Sequence, residues 1–157
     1  MCQYCGCRAM PLIRDFVAEH DRVMDSLDGA LRAIDATDFA TASRLVEDAT
    51  NDLHRHWTGE ENGIFTVMAA REDEYSTYID QLKVEHRELA ALLARVDVSL
   101  SADQQELREA YADLAEHISR EEDGLFPASL IALDGTDWNT SIAAWQEAHP
   151  GATMIPD

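Results

Sequence analysis

His56-Trp-Thr-Gly-Glu60-Glu61-Asn-Gly63-Ile-Phe65 and His117-Ile-Ser-Arg-Glu121-Glu122-Asp-Gly124-Leu-Phe126 are two copies of one pattern, 61 residues apart. His, both Glu, Gly and Phe recur at every equivalent position. Four residues along an α-helix is about 6 Å of rise and about 40° of rotation, so each His–Glu pair stacks on one face and aims at one region. A further histidine precedes each copy: His20 lies 36 residues before His56, and His86 lies 31 before His117. The chain therefore reads as two helical hairpins of one design, related by an approximate two-fold axis.

The flanking sequence supplies the helices that this repeat needs. After Pro11, apolar residues fall at helical spacing through Ile13, Phe16, Val17, Val23, Leu27, Leu31 and Ile34. A break at 35–38 follows, with Asp38 as the expected N-cap. A second run carries Phe39, Ala42, Leu45, Ala49, Leu53 and Val67, and a third carries Tyr75, Tyr78, Ile79, Leu82, Leu89, Leu93 and Val96. Ser101 with Gln104 predicts a capping box opening the fourth, through Leu107, Ala110, Leu114 and Ala128, with Pro127 bending or ending it. No stretch alternates with period two long enough for a strand. The expectation is an all-α chain, an up-down-up-down antiparallel four-helix bundle over 11–132. A Cys-rich segment over 1–10 precedes it, and a tail over 133–157 carries a short helix near 140–148.

The six polar residues of the repeat lie where leucine and valine would be expected. His20, His56, Glu60, His86, His117 and Glu121 share the apolar stripes, which converge in an antiparallel bundle. Desolvating one lone carboxylate costs several kcal/mol, so two of them in a dry core need compensation. Two divalent or trivalent cations supply it, each imidazole giving one nitrogen and each Glu bridging, with an added oxide or hydroxide completing the cluster. Imidazole with carboxylate suits iron, and also zinc or manganese. A lone histidine on such a stripe is more often a satisfied core residue, and a lone His-x3-Glu an ordinary surface pair. Four helices each placing one histidine inward, two with the same Glu, point to metal binding.

Composition narrows the partners. Twelve Lys and Arg stand against 31 Asp and Glu, a net charge of −19, which repels phosphate backbones and anionic lipid. With 46% apolar residues the chain has material for a core, yet no run approaches the roughly 18 residues of a membrane helix. All three cysteines fall within the first seven residues. With no signal-peptide pattern, that odd count argues for a reducing cytoplasm rather than a disulfide scaffold.

Together, His20, the His56–Glu60 pair, His86 and the His117–Glu121 pair, each pair followed by Glu-x-Gly-x-Phe, resemble the hemerythrin-like (HHE cation-binding) family over about residues 11–131. The resemblance implies a non-heme diiron centre with His20, His56, His86 and His117 as terminal ligands and Glu60 and Glu121 as bridges. The oxygen-carrying hemerythrins have a second histidine four residues after the one matching His86, where this chain has Ala90. Their last pair is His-x4-Asp, whereas here Glu121 stands at +4 and Glu122 at +5; the +5 position turns about 140° away, which favours Glu121. A missing fifth histidine leaves one metal with an open position. That argues against simple oxygen carriage and for oxygen activation, peroxide turnover or nitric oxide binding.

His54 lies about 200° around the helix from His56 and is expected at the surface. Glu61 and Glu122 are expected to face outward or to accept a hydrogen bond from a ligand imidazole. Gly63 and Gly124 either permit close helix approach or mark helix ends, and Tyr75, Tyr78 and Tyr111 are expected in the core. Cys2, Cys5 and Cys7 give three thiols, with His149 the candidate fourth donor if the chain ends meet. Capture of a soft metal, a redox role beside the diiron centre, and unused thiols are the open readings. Four functions compete for the bundle: reversible binding of O2 or NO; catalase-like or oxidase chemistry with a redox partner; iron handling or repair; and a purely structural bundle.

Overall fold

Each long helix is built on an apolar stripe interrupted by one histidine. The computed structural model describes residues 6–156 and, at Cys7, the backbone alone. A 3-10 turn at Cys7–Ala9 leads into α1 (Ile13–Asp35). Then come α2 (Phe39–Asn62), α3 (Ile64–Ala69), α4 (Asp73–Leu93) and α5 (Ser101–Arg120). A π turn at Glu121–Leu125 joins α5 to α6 (Phe126–Ala132), and α7 (Gly135–Ala148) closes the order. There is no strand among the described residues, and no helix there is long and apolar enough to cross a membrane. The all-α expectation holds, as a helical bundle.

The apolar residues form two clusters. Val23, Leu27, Leu53, Leu93, Leu107 and Leu114 belong to one, and Phe16, Phe65, Ile79, Leu82, Phe126 and Trp145 to the other. Along α1 and α4 the inward histidine falls between residues of the two clusters, whereas on α2 and α5 it follows residues of the first, the second cluster beginning only past the helix end, at Ile64 and Leu125. Burying such a side chain contributes about 1.5–3 kcal/mol. The clusters therefore hold the polar layer between them from both ends.

Local signals explain most boundaries. Asp38 caps α2 as expected, accepting from the Thr41 amide at 3.1 Å. The capping box at Ser101 does not form: Leu100 is the cap residue, and Gln104 donates its side-chain amide to the Val98 carbonyl at 2.8 Å. Pro127 does not end the fourth run, because it stands in the first turn of α6, where its missing N–H costs nothing. The tail helix is longer than expected. Asp134 caps it at Gly135, accepting from Thr136 and Asp137 amides at 2.8 and 3.1 Å.

The second run is the notable departure. It breaks at Gly63 (φ −114°, ψ −106°) instead of continuing to Val67. The reason is close approach: α7 packs across α2 at Gly59 and Gly63. A Cβ on Gly63 would lie 2.7 Å from the Gly59 carbonyl oxygen and 3.1 Å from Ala144 Cβ and Ser141 Cα. Gly124 is different, since a Cβ there meets only the Tyr78 hydroxyl, at 3.2 Å. Gly63→Ala is therefore expected to cost about 1–3 kcal/mol through forced separation of α2 and α7. Gly124→Ala should stay within about 1 kcal/mol of the parent. Urea unfolding of both variants, stripped of metal, measures the difference, and equal midpoints would refute it.

Candidate metal centre

Four imidazole edges meet on the bundle axis. His20 Nε2 lies 2.9 Å from His56 Nε2, and His86 Nε2 lies 3.0 Å from His117 Nε2. Glu60 and Glu121, with no exposed surface, stand between the two histidine pairs. Glu60 Oε1 is 3.2 Å from His56 Nε2, and its Oε2 is 3.7 Å from His86 Nε2. Glu121 reaches His20 Nε2 at 3.2 Å with one oxygen and His117 Nε2 at 3.0 Å with the other. The donor atoms of His20, His56, Glu60 and Glu121 lie within 4.8 Å of one another, as do those of His86, His117 and Glu121. All six residues singled out in the sequence come together.

The outward nitrogens are equally organised. Nδ1 of His20 donates to Glu122 (2.9 Å), that of His56 to Glu19 (2.7 Å), that of His86 to Glu61 (2.8 Å) and that of His117 to Glu85 (2.7 Å). A carboxylate can only accept, so Nδ1 carries the hydrogen and Nε2 is the inward nitrogen left for a metal ion or a second proton, the orientation a metal ligand needs. The repeated motif now has a physical reading. Glu61 bonds His86 and Phe65 stacks on its ring (5.7 Å, 17°), while Glu122 bonds His20 and Phe126 stacks on its ring (6.1 Å, 6°). Each hairpin thus orients the lone histidine of the other. An irregular turn interrupts the motif in both copies: the Gly63 break follows the Glu pair in one, and the π turn Glu121–Leu125 contains it in the other, π turns being frequent at functional sites.

The inner groups fit cations. All four oxygens of Glu60 and Glu121 are buried without a hydrogen-bond partner, their 3.0–3.7 Å approaches to Nε2 lacking the alignment of a bond. Facing lone pairs at 2.9 and 3.0 Å repel unless something positive lies between them. Protons are the alternative occupant. Burial pushes each imidazole toward neutrality, but Glu121 and Glu85 prevail at His117 and raise it to about 9, and Glu60 and Glu19 hold His56 well above its ordinary 6.5. At Glu121 burial opposes ionisation, yet His117, His20 and His86 hold the carboxyl well below its usual range.

His54 is exposed and apart from the cluster, its ring edge-on to Trp57 at 5.9 Å. Glu61 and Glu122 take the accepting role. The three tyrosines are half-buried rather than core, with the Tyr78 hydroxyl donating to the Arg120 carbonyl at 2.9 Å. Cys2 and Cys5 lie outside the described residues, as does the Cys7 side chain. His149, expected beside those thiols, has both ring nitrogens engaged elsewhere: Nδ1 donates to the Trp145 carbonyl (2.7 Å), and Nε2 lies 3.1 Å from Glu19 Oε1. The sequence reading missed Glu19, Glu85 and Trp145, whose Nε1 donates to Glu19 at 2.7 Å. One signal was available: Glu19-His20 and Glu85-His86 are themselves a repeat, 66 residues apart.

Protons and metal ions compete for the same nitrogens, so apparent metal affinity is expected to rise about tenfold per pH unit for each proton displaced. For His117 this continues to about pH 9. Stability of the metal-stripped protein has the opposite slope. The raised His117 value contributes stability fully present below about 6.5 and lost as pH climbs through about 9. Melting temperatures of chelator-treated protein should fall across that window while those of metal-loaded protein stay level; identical profiles would overturn this reading.

A search of the curated proteins and of the solved structures found no match to the chain. The family model "Hemerythrin HHE cation binding domain" matches residues 12–129, which contain every residue of the inner layer and both copies of the motif. With three quarters of its length matched and its histidines and glutamates gathered as described, the chain belongs to the hemerythrin HHE cation-binding family.

Proposed function

We propose that this chain holds two iron ions, with His20, His56, His86 and His117 as terminal donors and Glu60 and Glu121 between the metals, and that it binds O2, NO or peroxide there. The observation that carries this reading is the inward set itself: four Nε2 atoms whose Nδ1 partners are all carboxylates, around two buried carboxylates without hydrogen-bond donors. Four neutral imidazoles temper the oxidising power of an iron pair relative to carboxylate-rich sites, which favours binding over oxygenation. Iron, when bound, supplies redox-active positions for a small ligand. The acidic surface weighs against nucleic acid or anionic lipid as partners.

The chain's own residues do the rest. Glu122, Glu19, Glu61 and Glu85 fix each ring's tautomer and orientation. Glu121, shared by the two donor groups, and Glu60, in the His20–His56 group, would supply the negative charge that offsets two cations. Phe16, Phe65, Phe126 and Trp57 border the histidine rings and keep water from the inner layer. Catalase-like or oxidase turnover is the second reading. It is favoured by a cleft of about 470 Å3 that reaches His86 and His117 from solvent.

Elemental analysis with an absorption spectrum of the purified protein tests the iron assignment. Adding O2 to the reduced protein then separates the readings, a reversible spectrum supporting binding and irreversible oxidation with loss of added peroxide supporting turnover. Glu121 belongs to both donor groups and Glu60 to one. Glu121→Ala should therefore empty both positions, whereas Glu60→Ala should chiefly weaken the one at His20 and His56. Circular dichroism checks that the helices persist; two retained irons in Glu121→Ala would defeat the assignment.

A further inference from the structure

The hairpin repeat makes the centre nearly two-fold symmetric, but its surroundings are not. On the His20–His56 side both outer carboxylates are sealed. Glu19, with 3% of its side chain exposed, is held by Trp145 Nε1 and lies beside His149 Nε2 of the tail, and Glu122, with 8% exposed, pairs with Arg8 at 2.5 Å. On the His86–His117 side, Glu61 and Glu85 have 31% and 28% exposed. The donors are uneven too, with four residues gathered around one position and three around the other. The open side is the donor-poor side.

Two clefts reach that side, and Trp57 borders both. The larger, between α4 and α5, carries Glu88, Glu106, Glu109, Asp113, Glu116 and Glu85 against only two guanidinium groups, Arg95 and Arg120. Its field repels anions. The smaller, about 270 Å3, is lined by Trp57, His86 and Ala90, and its two charged residues, Glu61 and Arg87, are of opposite sign. Ala90 stands one turn beyond His86 on the same face of α4, and its methyl group leaves room beside the ring.

We infer that small anionic ligands of two or three heavy atoms reach the metal position at His86 and His117 through the cleft beside Ala90, the position at His20 and His56 being closed to them. This rests on the dinuclear reading above and adds the side of entry. A phenyl ring at 90 fills the passage; an imidazole there offers the donor-poor position a further nitrogen.

The test uses azide as probe on the iron-loaded chain, with iron counted in every variant. Stopped-flow absorbance should show Ala90→Phe slowing azide binding about tenfold or more, while Ala110→Phe, which narrows the acidic cleft, leaves the rate within about twofold of the parent. Ala90→His should weaken azide affinity about tenfold with both irons retained. If both Ala90 variants hold two irons and take up azide like the parent, or if Ala110→Phe alone slows it, the inferred entry is wrong. A parent chain without two irons would instead bring down the dinuclear reading itself.

Discussion

Glu60 and Glu121 stand on the bundle axis with no exposed surface and no hydrogen-bond donor on any of their four oxygens. Among the described residues no other carboxylate is buried without a hydrogen-bond partner. Removing one ionised carboxylate from water costs several kcal/mol after relaxation, a sizeable share of the net stability of a domain of this size. The surrounding architecture answers this cost. Four helices bring imidazoles to the carboxylates, four further carboxylates turn the rings, and two apolar clusters close the layer from either end.

That arrangement explains why the motif has its spacing. In Glu-Glu-x-Gly-x-Phe the first Glu enters the centre, the second reaches the opposite hairpin's histidine, and the Phe lies against that same ring. A glycine at the third place after the inner Glu serves different ends in the two copies. At Gly63 it admits the backbone of α7, and at Gly124 it sits beside the Tyr78 hydroxyl. The same letters in the sequence thus do one chemical job twice and two packing jobs once each.

The long helices, the repeat and the inner donors were legible because each rests on spacing along a single helix. Residues that act across helices were harder. Glu19 is one position, about 100°, from His20, so on its own helix it reads as a boundary residue. Only the docking of α7 shows that it is buried, with Trp145 and His149 against it. The Gly63 break and the π turn were hidden because each lies near the end of its apolar run, where too few residues follow to reveal a shifted period. Asp134 with Asp137 three residues later marked the start of the tail helix, but the prolines and the two tryptophans of the tail obscured it.

The exchange of carboxylates and phenyl rings between hairpins has a consequence for assembly. A hairpin alone lacks the groups that orient its first histidine, so neither half can fix both of its imidazoles before the two have met. A homodimer of half-length chains would satisfy every one of these exchanged contacts, with its symmetry axis passing between Glu60 and Glu121. Covalent fusion into one polypeptide frees the two sides to diverge. Arg8 and Trp145 of α7 hold the outer carboxylates of one side alone.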